Sequence, residues 1–190
     1  YIDATVGWRS VQDNQFAQQG ASFIVATGGT ITTVCTNFKV HTFTSPGTFS
    51  VSQGNGALAQ VDYMVVAGGG GGGGGEGTGG GGAGGYRESH EVPVSGPWTN
   101  SPLAKTSCAS LPVESPVPVT VGAGGAPWFI NAVNPPTTSP QGSGTNSVFS
   151  TITSAGGGAG GKFTGNPSIT PGCKGQPGGS GGGSGGIGPT

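Results

Sequence analysis

The run at residues 68–85 limits what this chain can become more than any other stretch. It holds fifteen glycines in eighteen residues, interrupted only by Glu76, Thr78 and Ala83, and follows the apolar segment 61–67 with no polar spacer. Ordering backbone costs about 1–2 kcal/mol per residue, and glycine loses more freedom than any other type. Such a tract stays flexible unless many weak contacts offset that cost. Shorter runs recur at 122–125, 156–161 and 178–186.

Four uses compete. As a flexible linker, eighteen residues span only about 23 Å on average and order nothing. A phosphate loop needs Lys and then Ser or Thr after its last glycine. Lys162 does follow Gly161, but Phe163 stands where the hydroxyl belongs. Collagen needs a strict Gly-X-Y period, which these tracts lack. The fourth use is a bundle of extended, left-handed threefold helices of the polyproline II type, with every N–H and C=O pointing sideways. Bare of side chains, such helices approach until those groups pair between helices, at about 0.5–1.5 kcal/mol net per bond. Several tracts closed off by apolar strands are needed, and this chain has both. The first tract runs about 56 Å if continuous, or folds back near Glu76 or Ala83.

Strand signals surround the tracts. Residues 23–26, 30–36, 38–44 and 48–52 are short apolar or β-branched runs suited to a pleated surface. Ser45-Pro46-Gly47 carries type II turn chemistry, which predicts a hairpin over 38–52 with Phe49 and Val51 on one face. Residues 61–67 read as a strand covered on both sides. Val117, Val119 and Val121 precede the second tract, and Val148, Phe149 and Ile152 the third. The fold class is therefore mainly β with irregular structure: short strands and a hairpin feeding a packed polyglycine bundle, with essentially no α-helix. Three parts are expected: an N-terminal segment 1–37, a hairpin and buried strand 38–67, and a glycine-rich part 68–190 with loops 86–115, 126–147 and 162–177. The loops 86–115 and 126–147 are expected at one end of the bundle.

Composition removes several function classes. Six basic and seven acidic residues leave a net charge of −1, with no basic surplus for nucleic acid. No apolar run is long enough to insert in a membrane as a helix. Cys35, Cys108 and Cys173 lie far apart without a C-x-x-C pair, so no metal site is expected. One disulfide with a thiol left over and three reduced cysteines both fit. The single dense polar cluster, Arg87-Glu88-Ser89-His90-Glu91, reads as a solvated loop, and no catalytic group or cofactor is expected. The aromatic and basic residues beside the tracts are Tyr86, Arg87, Trp98, Trp128, Phe129, Lys162 and Phe163. They are the candidate receptor contacts, since aromatics and Arg dominate interface hot spots. The competing reading is that these rings pack on the ends of the bundle.

The segments 39–51, 61–67 running into the long tract, 118–125 and 147–158 together resemble the glycine-rich domain of bacteriophage virion proteins. The likeness covers roughly residues 38–190, including the polyglycine sandwich of distal tail-fibre adhesins. It implies a non-enzymatic virion protein, in the virion or outside the cell, whose loops meet a host-cell surface glycan or outer-membrane protein. Other virion proteins and copies of the chain are the further implied partners. A purely structural appendage or filament component is the alternative. The start at Tyr1 suits a piece of a longer fibre.

Overall fold

The β-branched runs become strands in a computed structural model that describes residues 24–34, 38–53, 60–73, 77–89, 111–113, 116–127, 130–131, 137–138, 142–163 and 173–186. In chain order these are β1 (Val25–Thr27), β2 (Thr30–Val34), β3 (Phe38–Thr42), β4 (Gly47–Gln53), β5 (Gln60–Val61), β6 (Met64–Val66) and β7 (Tyr86–Glu88). They continue with β8 (Leu111–Pro112), β9 (Val117–Thr120), β10 (Ile130–Asn131), β11 (Thr137–Thr138), β12 (Ser147–Phe149) and β13 (Ile152–Ser154). No α-helix occurs among the described residues. A five-stranded antiparallel sheet has the order β1-β4-β9-β12-β13, and β2-β3, β5-β8, β6-β7 and β10-β11 form two-stranded ribbons. The alternation in β4 places Phe49 and Val51 inward, where they bury against Val113 and Val117. The Phe49 ring meets His41 and Phe149 edge-on, with centroids 5.1 and 5.9 Å away.

Two local expectations are corrected. Strands β3 and β4 form, but they do not pair as a hairpin: β3 pairs with β2, while β4 lies between β1 and β9. The cause is the corner at Gly28-Gly29, whose φ values of 113° and 63° suit glycine and little else. That corner turns the chain out of β1 into the β2-β3 ribbon. The Phe43 ring packs against Gly28, Gly29 and Gly47, and His41 Nδ1 donates to the Gly28 carbonyl at 2.8 Å. The 61–67 segment is likewise not covered on both sides. It breaks at Asp62-Tyr63, and β6 buries Val65 while Met64 and Val66 stay 68% and 52% exposed.

The glycine tracts form seven extended segments among the described residues, labelled γ1 (67–73), γ2 (77–85), γ3 (121–127), γ4 (142–146), γ5 (155–162), γ6 (173–177) and γ7 (178–186). Their hydrogen bonds repeat every third residue, the signature of a threefold helix. The N–H groups of Ala67, Gly70 and Gly73 donate to the carbonyls of Gly85, Gly82 and Gly79, so γ1 and γ2 run antiparallel. Those of Gly79, Gly82 and Gly85 donate to Gly161, Gly158 and Ala155 of γ5, at 2.7–2.9 Å. Gly157 and Gly160 donate to Gly68 and Gly71, making γ5 parallel to γ1. The long tract thus folds back between residues 73 and 77, with Gly77 at φ 68°, and does not run on as one rod.

γ5 is the centre of the bundle. It bonds to γ1, γ2, γ4, γ6 and γ7, and residues 156–161 are buried without a break. The N–H groups of Gly156 and Ala159, one turn apart, find side chains in place of a further helix. They donate to Asn146 Oδ1 at 2.9 Å and Ser143 Oγ at 3.3 Å. A lost acceptor leaves a buried N–H unpaired, at roughly 1–3 kcal/mol. Ser143→Ala and Asn146→Ala are each expected to lower stability by about that amount in chemical denaturation. A double variant no less stable than wild type would remove the bridging role.

Five bundle segments join strands directly: β6 to γ1, γ2 to β7, β9 to γ3, γ4 to β12 and β13 to γ5. These strands therefore lie at one end of the bundle. The chain leaves the opposite end after residues 73, 127 and 163 and returns at 77, 142 and 173.

Candidate functional site

Of the seven candidate contacts, the four among the described residues do not converge. Tyr86 and Arg87 lie on β7 at the strand end, while Lys162 and Phe163 lie at the far end of γ5. γ2 separates them, since Phe163 touches Gly77 at its start and Tyr86 follows its last residue. Eight residues of threefold helix amount to about 25 Å. Trp98, Trp128 and Phe129 lie outside the described residues. The two long loops, expected together, leave the described bundle at opposite ends. The chain enters 86–115 from the strand end, where Ser89 donates to the Tyr63 carbonyl at 2.9 Å and β8 pairs with β5. It enters the 127–142 excursion from the opposite end, beside the Gly142–Ala126 bond. γ2 and γ3 end at opposite ends of the bundle, and most of both loops lies outside the described residues.

At the far end, Phe163 spans the tips of γ2 and γ7. A methyl built on Gly77 would lie 2.9 Å from the ring, and one on Gly186 3.6 Å from it. The ring stays 44% exposed, so it both closes the bundle and offers a face to solvent. Beneath it Gly185 donates to the Cys173 carbonyl at 2.7 Å, and the buried Cys173 carries a thiol whose Sγ lies 3.8 Å from the Gly186 carbonyl. Lys162 is half-buried beside this ring.

At the strand end, the Tyr86 hydroxyl donates to Glu88 Oε2 at 2.7 Å, and Arg87 Nη1 to the Tyr86 carbonyl at 3.1 Å. The hydrogen bond to Glu88 raises the Tyr86 pKa above its ordinary 10, with burial and the charge of Glu88 adding to it. Burial also raises the Tyr63 phenol, partly opposed by the Arg87 charge. Glu88 and Ser89 are buried, at 5% and 7% exposure, which corrects the solvated-loop reading of the 87–91 cluster for these two residues. Ser89 Oγ accepts from the Tyr63 N–H and donates to Asp62 Oδ1, both at 3.1 Å. That pairing locks the break between β5 and β6. Among the described residues no group of three or more His, Cys, Asp or Glu is placed to hold a metal ion.

Sequence reasoning missed the short polar residues that stand in for backbone carbonyls. Ser147 Oγ accepts from Gly122 N–H and Thr145 Oγ1 from Ala123 N–H, at 2.9 and 2.8 Å, alongside the Ser143 and Asn146 bonds. Their signal was the segment 142–147, which interleaves glycine with Ser, Thr and Asn just before β12. It missed an exposed apolar face too. On the β2-β3 ribbon Val34 pairs with Phe38 and Thr32 with Val40, and Val34, Phe38 and Val40 are 45%, 68% and 44% exposed.

Together these features define a class: a mainly β protein in which antiparallel strands close one end of a bundle of threefold glycine helices. A family model described as a glycine-rich domain matches residues 43–190, and the chain belongs to that family. No curated protein and no solved structure matches it.

Proposed function

We propose that this is a non-enzymatic virion structural protein of a bacteriophage, a tail-fibre or fibre-tip adhesin whose bundle holds loops toward a host-cell receptor. The observation that carries this reading is the gathering of three chain excursions, after residues 73, 127 and 163, at the end away from the strands that feed the bundle. Binding residues concentrate on loops held by a rigid scaffold, and a hydrogen-bonded bundle is such a scaffold. Trp128 and Phe129 belong to one of these excursions and Lys162 and Phe163 border another. An aromatic ring beside a cation suits stacking on a sugar and pairing with its substituents.

The test is host adsorption by particles carrying Trp128→Ala or Phe163→Ala. Attachment is expected to fall about tenfold or more, as for a hot-spot residue, with particle yield unchanged. Normal attachment together with failed particle assembly would sink the adhesin reading. The exposed Val34, Phe38 and Val40 face favours a second reading, a structural appendage or filament component that uses the β2-β3 ribbon for assembly. Phe38→Ser is then the variant that blocks assembly.

A further inference from the structure

β2 presents a bare sheet edge. It pairs along five residues with β3, in an unbroken register from Thr30–Thr42 to Val34–Phe38. Nothing pairs with its other side among the described residues. In an antiparallel ladder every second residue turns its N–H and C=O away from the partner strand. With all five residues exposed, those groups of β2 meet solvent. Proteins blunt such edges with a charge, a proline, a bulge or a very short strand. β2 has none of these. The other free edges among the described residues do. β1, β5, β6, β7, β8, β10, β11 and β13 are two or three residues long, and β3 carries Lys39.

The ribbon is also short of cover. A lone two-stranded hairpin is marginally stable in water, and three or more strands with an apolar face are needed. One face of β2-β3 is tied down by His41, through the Gly28 carbonyl and the Phe49 ring. The opposite face holds Val34, Phe38 and Val40, all exposed.

We propose that β2 pairs with β2 of a second copy of the chain, antiparallel about a two-fold axis at Thr32. The strand suits itself as a partner. Thr30-Ile31-Thr32-Thr33-Val34 is uncharged and β-branched throughout, so every side chain fits a pleated surface and no like charges meet. With the axis at Thr32, Thr30 stands opposite the partner's Val34 and Ile31 opposite the partner's Thr33. Thr32 stands opposite the partner's Thr32, and Thr–Thr is a favourable cross-strand pair. The product is a four-stranded sheet with Val34, Phe38 and Val40 of both copies on one face, which supplies what the lone ribbon lacks. Lys39 guards the outer edge of β3 in each copy, so the sheet ends there and growth stops at two. Closed two-fold pairs are the commonest oligomers.

Light scattering on the purified full chain over a dilution series tests this. A species of twice the 18.2 kDa of one chain is expected, dissociating on dilution. Thr32→Lys sets two lysines face to face at the axis and should raise the dissociation constant about fivefold or more. Lys39→Glu, on the outer edge, should leave it unchanged. If Thr32→Lys lowers the melting temperature in circular dichroism, Thr30→Lys, on the same edge, takes its place. Hydrogen exchange gives a second readout, since outward amides of β2 should slow as concentration rises. A monomer at every concentration, assemblies larger than two, or a dimer indifferent to the edge lysine overturns the proposal. So does protection of β2 amides that dilution leaves unchanged, because the same chain would then cover its own edge. The inference names a partner for the ribbon of the structural reading but rests on neither function. It is measured without host or particle, so its failure is distinct from theirs.

Discussion

Gly158→Ala is expected to unfold the bundle, whereas Gly80→Ala leaves it intact. A methyl on Gly158 would overlap the Gln176 carbonyl of γ6, while at Gly80 nothing lies within 4 Å. Overpacking commonly costs about 1–3 kcal/mol when side chains can shift. Here the obstacle is backbone, and γ5 is bonded to five neighbours, so the loss should reach or exceed the top of that range. Gly80 is exposed and its φ is not positive. Its alanine variant should be unchanged, or more stable by about 0.4–1 kcal/mol through reduced freedom of the unfolded chain. Thermal melts of the two variants decide the matter. Equal melting temperatures would mean that the close packing of γ5 contributes little to stability.

Phe49→Ala should be the most damaging change outside the bundle, at about 3–5 kcal/mol. Phe49 is 6% exposed and its ring lies between His41 of the β2-β3 ribbon and Phe149 of the five-stranded sheet, so truncation opens a cavity and removes two edge-on ring contacts. The strands also hold five bundle segments in place. Hydrogen exchange therefore has a second readout: the amides of Gly158 and Gly161 should exchange faster in the variant. Faster exchange confined to the sheet would show that the bundle stands without it.

Much of the architecture was legible because each level of the sequence pointed the same way. The β-branched runs gave β2, β3 and β9, the alternation in 48–52 gave the inward pair Phe49 and Val51, and the recurrence of glycine after strands gave the bundle. Strand pairing was not legible. Pro46-Gly47 argues for a local hairpin, but the corner at Gly28-Gly29 is set by contacts with Phe43 and Thr48 that lie distant in sequence. The candidate contacts were found one by one from composition, and their separation by the length of γ2 depends on which way each tract runs. Direction does not show in a run of identical residues. Asn146 and Ser143 stand out as polar residues among glycines, but that they accept from the amides of γ5 depends on γ4 lying beside it, which no local pattern encodes.

The burial of residues 156–161 has a thermal consequence. What leaves water in this bundle is mostly peptide group and little hydrocarbon. Unfolding hydrocarbon raises heat capacity, by about 0.45 cal/K/mol per Å², while exposing polar surface lowers it. The glycine bundle should therefore contribute little to the heat-capacity change of unfolding, and its stability curve should be flat. The hydrophobic drive that holds Phe49 and Val117 fades on cooling; the hydrogen-bonded glycine net does not depend on it, and it keeps its hold in the cold.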